Sequence, residues 1–102
     1  MATSATRIPT RAAGGPDGML ANRIPFRTNG SLRAVAGAVG ETGRLPLEWQ
    51  DRYRADRDVI VYTVVSYETP IAWVTEAGAV EIPDAGYSLT TNRHQNMCRA
   101  WL

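Results

Sequence analysis

The chain has 102 residues, 44% of them hydrophobic and 21% charged. This allows one small domain and excludes both a two-domain enzyme and a disordered chain. Eleven basic residues against ten acidic ones leave a net charge of +1, which excludes a strongly basic, salt-driven nucleic-acid coat protein but not a local basic patch.

All eleven basic residues are arginine. GC-rich coding, which favours Arg, Ala and Gly, is a simpler account of that bias than a special need for guanidinium groups. The single cysteine, Cys98, has no partner for an internal disulfide, as expected in a reducing cytosol. No apolar run approaches the ~18–20 residues of a membrane span, and the N-terminus lacks the apolar segment of a secretory signal. The sequence predicts a cytoplasmic protein with no membrane partner.

Residues 1–29 carry Arg7, Arg11, Arg23 and Arg27 against Asp17 alone, a local charge of +3. They are rich in Ala, Gly, Pro and Thr, so the sequence predicts a flexible basic arm followed by one domain over 30–102. Two short copies, Arg7-Ile8-Pro9-Thr10-Arg11 and Arg23-Ile24-Pro25-Phe26-Arg27, are too little for a repeat architecture. Everything legible as folded lies beyond Met19, which makes that residue an alternative start.

Leu32, Ala34 and Val35 predict a short strand that runs into Gly37 and Gly40. Pro46 suits a helix start, and Leu45, Trp49 and Tyr53 at i, i+4 and i+8 predict a helix over about 46–56, with Glu48 and Arg52 paired on another face. The β-branched and aromatic run 59–67 predicts a strand central in its sheet or covered on both faces. Glu68-Thr69-Pro70 reads as a turn, 71–74 as the next strand, 76–78 as a turn into a strand over 79–82, and 83–86 as a further turn. Thr90, Thr91 and Asn92 are good N-caps for a last helix over about 92–101, with Asn92 and Gln95 spaced as in a capping box. The fold class is therefore α+β: a small antiparallel sheet of three or four strands covered by two helices, in the order β-α-β-β-β-α.

Chemistry-bearing residues gather at the start of that last helix. Ser88, Thr90, Thr91, Asn92, Arg93 and His94 combine hydroxyls, a helix N-terminus and a guanidinium, a set suited to an anion or a protein partner. His94 shares a helix face with Met97, Cys98 and Trp101, and packing on the sheet is their expected role. A zinc site would need three or four ligands, and no others stand near His94 and Cys98, so no metal or other cofactor is expected. There is no glycine-rich phosphate loop. Tyr62, Tyr67, Trp73 and Tyr87 lie on or beside strands, where some single-strand nucleic-acid binders place stacking rings, although a thin core also needs such residues.

The segments Gly43-Arg44-Leu45-Pro46, Val61 through Trp73, Pro83-Asp84 and Tyr87 through Asn96, taken in order, resemble an uncharacterised family of small proteins from phages of actinobacteria and their hosts. The resemblance covers roughly residues 24–99. It implies origin and compartment, a phage or prophage accessory protein in a bacterial cytoplasm, and no activity.

Three readings of function follow. The first is a non-enzymatic binding module for a host or phage protein, with homodimer formation through an open sheet edge. The second is nucleic-acid binding through Arg7, Arg11, Arg23 and Arg27, the helix start Thr91–Arg93, and Arg99. The third is a small enzyme using His94 with Ser88, Thr91 or Arg93.

Overall fold

The computed structural model describes residues 6–7, 16–28, 30–84 and 89–102. In chain order it runs β1 (Thr6–Arg7), α1 (Pro16–Ala21), β2 (Phe26–Arg27), β3 (Leu32–Ala36), α2 (Leu47–Asp56), a 3-10 turn (Arg57–Val59), β4 (Ile60–Ser66), β5 (Thr69–Thr75), β6 (Val80–Glu81) and α3 (Leu89–Trp101). The strands lie in the sheet in that same order. β2 to β6 form an antiparallel meander, and β1 joins β2 in parallel. The expected order β-α-β-β-β-α is met from Leu32 onward, but three further elements precede it, and the expected three or four strands are corrected to six among the described residues, five of them antiparallel.

β4 sits between β3 and β5 and is buried at every position except Val61. A register shift between Ile60 and Tyr62 changes which face the side chains take, so the strand serves two different cores. Tyr62 and Val64 join Leu20 of α1, Phe26, Leu32, Ala34, Ile71, Val74 and Cys98 of α3 in one cluster. Ile60 joins Leu45, Tyr53 of α2 and Trp73 in the other, with Trp49 packed against it. Thus α1 and α3 cover one face of the sheet and α2 the other. The expected two-layer arrangement, with both helices on one apolar face, is corrected to three layers.

The expected arm over residues 1–29 is also corrected where the structure describes it. Leu20 and Phe26 are fully buried. α1 packs on α3, and β2 pairs with β3 through Phe26↔Ala34 and Arg27↔Arg33. The helix closes with Ile24 N–H donating to the Met19 carbonyl (2.8 Å) and Arg23 N–H to that of Leu20 (3.1 Å). This is the bonding pattern of a Schellman cap, with Arg23 at φ +53° where glycine is usual. Arg11 lies outside the described residues.

Other corrections are local. Arg52 does not pair with Glu48 but crosses to Glu81 at 2.8 Å. Trp101 is 49% exposed; Leu102 packs against the core instead. Pro70 is a residue of β5, not of the turn, and lies where the β4–β5 register shifts between Val64 and Val65. A residue with no N–H to give fits a ladder at such an irregularity. The turn is therefore Tyr67-Glu68, with φ +50° and +68°. Positive φ at both central residues is the requirement of a type I′ hairpin, normally met by Asn-Gly. Finally, α3 begins at Leu89, so Thr90, Thr91 and Asn92 lie inside its first turn and do not cap it.

Candidate functional site

The motif segments meet around the β4–β5 hairpin. Gly43, at φ +50°, runs so close to the hairpin that a Cβ there would lie 2.6 Å from the Glu68 carbonyl oxygen and 2.7 Å from Thr69 Cα. The Arg44 N–H donates to Thr69 Oγ1 at 2.8 Å. Leu45 is buried, and the carbonyl of Pro46 accepts from Trp49 N–H and Gln50 N–H at 2.9 Å each. The loop before α2 is thus fastened to the far strand of the hairpin.

The near strand is fastened to α3. Ser66 Oγ lies 2.8 Å from His94 Nδ1 and 3.2 Å from Thr91 Oγ1. One turn on, Gln95 Nε2 donates to the Pro83 carbonyl at 2.8 Å, so Gln95 serves that loop and not a capping box with Asn92. Thr91, His94, Gln95 and Cys98 form the buried stripe of α3. Burial pushes the Cys98 thiol up to about 12, which leaves it protonated and inert at neutral pH.

The Ser66–His94 contact has the spacing of a nucleophile and its base. In this structure the Ser66 oxygen is buried rather than presented to solvent, Ser66 being 1% exposed. The pair acts as a buried latch. Desolvation lowers the His94 pKa from its ordinary 6.5, so the folded protein holds the ring neutral where the unfolded chain protonates it. Stability is therefore unaffected by His94 above about pH 6.5 and is lost as pH falls through that value towards the lowered one. The urea midpoint of the wild type is expected to drop from about pH 7 to about pH 5.5 by more than that of His94→Asn. Equal drops in the two proteins would show that the histidine is not the titrating group.

The six residues expected at the helix start are accordingly divided. Thr91 and His94 turn into the core, Asn92 is half-buried, Thr90 and Arg93 face solvent, and Ser88 lies outside the described residues. The stacking set divides as well: Tyr62 and Trp73 are buried, Tyr67 is 58% exposed, and Tyr87 lies outside the described residues. Among the described residues no group of three or more His, Cys, Asp or Glu is arranged to hold a metal ion, and no helix is long and apolar enough to cross a membrane.

An open groove of about 600 Å³ lies at the hairpin end of the sheet, lined by Arg27, Thr28, Ser31, Arg33, Tyr67 and Glu68. Phe26, Leu32 and Ala34 point to the α3 side, so the alternation of β2 and β3 turns Arg27 and Arg33 to the other face. The two are direct cross-strand partners, with Cβ atoms about 4.5–5.5 Å apart in such a pair. The backbone register also sets Arg7 opposite Arg27.

Like charges in this relation are destabilising. Arg33 is compensated by Glu41 at 2.8 Å and Glu68 at 3.7 Å. Backbone hydrogen bonding first, and the bond to Arg33 second, hold the Glu41 carboxyl below its usual 4.5. Arg27 is exposed and has no carboxylate partner among the described residues. Sequence reasoning picked out Arg27 and Tyr67 separately. Their meeting depends on the β2–β3 pairing and on the displaced turn, neither of which shows in hydrophobic periodicity.

No curated protein and no solved structure matches the chain. A family model does match, over residues 22–99. That span runs from the end of α1 through β2 and the hairpin to the last turn of α3, and so takes in both latches and the groove. With more than three quarters of its length matched, the chain belongs to the family of unknown function DUF8033.

Proposed function

We propose that this protein is a non-enzymatic binding module whose binding surface is the groove at the β4–β5 hairpin end. Its wider setting, on this reading, is the one the sequence resemblance implies: a phage-type accessory protein in a bacterial cytoplasm. The observation that carries the reading is the Tyr67-Glu68 turn. Two residues with side chains occupy left-handed backbone at a cost of order 1–3 kcal/mol each, and the result is an exposed ring beside Arg27 and Arg33. Strain held in place by surrounding latches is a mark of binding sites. The titratable pair that resembles catalytic machinery, Ser66 and His94, is instead spent in the core. A homodimer through the sheet edges gets less support, because both edge strands are only two residues long.

Amide NMR spectra recorded during titration with oligonucleotides, acidic peptides and basic peptides test this reading. Shifts should centre on 27–33 and 67–68 for at least one ligand class. Shifts centred on 90–94, or no shifts with any class, would overturn it.

A further inference from the structure

Resting on the binding-module reading, we infer that the groove's ligand is a single-stranded nucleic acid, its phosphates on Arg27 and Arg33 and one base stacked on Tyr67. Arg27 and Arg33 stand in cross-strand register on the same face, within reach of successive phosphate oxygens. Arg27 lacks a carboxylate partner among the described residues and is the guanidinium open to a ligand, whereas Arg33 is shared with Glu41 and Glu68. An acidic peptide would satisfy that charge as well. It would not use the ring, which stands 58% exposed on the same rim. An aromatic face beside a basic track is the arrangement that binds unpaired bases, since every base offers a π-face. A duplex keeps its bases stacked and cannot supply one. Thr28 does not compete for the ligand, because its hydroxyl donates to the Leu32 carbonyl at 2.7 Å and accepts from Gly30 N–H at 3.2 Å. Glu68 on the rim opposes phosphate and limits the contact to few charges.

Fluorescence anisotropy with short labelled oligo-dT, oligo-U, a duplex of the same length and poly-glutamate tests the inference. Either single strand should bind, the duplex and poly-glutamate more weakly. Two phosphate contacts give a log–log salt slope of about −1.4, or about a sevenfold loss of affinity from about 50 to about 200 mM salt. Tyr67→Ala should weaken binding about tenfold and Tyr67→Phe little. Arg27→Glu should weaken it further and Glu68→Gln should strengthen it, while Arg93→Glu on α3 should leave it unchanged. Circular dichroism of each variant separates lost binding from lost fold. Binding of neither single strand, or binding insensitive to Tyr67→Ala in a folded variant, would overturn the inference. If poly-glutamate alone bound, with dependence on Arg27, the inference would fail and the binding-module reading would stand. If the spectra moved at the groove with no ligand class, both would fail.

Discussion

Replacing Trp73 by Ala is expected to cost about 3–5 kcal/mol, a large part of the ~5–15 kcal/mol that holds a domain of this kind together. Trp73 is fully buried on the α2 face of the sheet. Its ring meets Tyr53 edge-on at 4.9 Å between centroids and Trp49 at 6.1 Å. Its indole N–H donates to Asp56 Oδ2 at 3.2 Å. Truncation removes the largest side chain of a small cluster and both edge-on ring contacts. It also leaves Asp56 without this donor and opens a cavity that two rigid strands cannot close. Urea denaturation would show the loss, with a collapse of near-ultraviolet dichroism. Trp101→Ala provides the contrast, because that ring is half exposed and its loss should stay within about 0.5 kcal/mol. Similar losses at the two tryptophans would contradict the three-layer packing.

The second large effect is at Gly43. Gly43→Ala should cost about 3 kcal/mol, the sum of left-handed backbone strain and overpacking. The added methyl would meet the Glu68 carbonyl and the Thr69 Cα, both backbone, as well as the Thr69 hydroxyl that holds Arg44 N–H. None of these can swing aside like the end of a long side chain. Gly78 separates the two causes. It has φ +87° but nothing within 4 Å of an added Cβ, so Gly78→Ala should cost only the conformational part, about 1–2 kcal/mol. If the two variants melted alike, the loop before α2 would not be seated on the hairpin as described.

What the sequence made legible was the part governed by local pattern. The β-branched run gave β4, and Leu45, Trp49 and Tyr53 gave the buried side of α2 within a residue or so. The alternation that buries β4 on both sides also implied a layer on each face. The expectation of one covered face set that implication aside.

The missed parts were those decided by distant partners. Leu20 and Phe26 stand in short apolar stretches broken up by Gly, Pro and Arg, and they enter the core only because β2 finds β3 and α1 finds α3. Pro70 reads as a turn residue from its chemistry, but the register shift lets it lie in a strand. The hydroxyls Thr90 and Thr91 are good caps by type, yet the helix starts one residue before them.

The candidate site was visible only as fragments. Arg27 belonged to an expected arm, and Tyr67 to a list of aromatics. The positive φ of Tyr67 and Glu68 has no signature in residue type, since Asn or Gly would be the ordinary occupants. A strong local rule is broken there without any gain in packing, which is the usual mark of a position kept for a task other than folding.

That idea has a direct test in the double variant Tyr67→Asn, Glu68→Gly, which supplies the residues the turn geometry prefers. It forgoes only an exposed ring and a 3.7 Å surface ion pair, the latter worth little. If the wild-type turn is kept for binding, thermal denaturation should show the variant more stable by about 1–2 kcal/mol, with Tm rising about 4–8 °C per kcal/mol, while ligand binding at the groove weakens. A lower Tm with groove binding intact would show that Tyr67 and Glu68 serve the fold, and the claim that this hairpin end is a binding surface would be wrong.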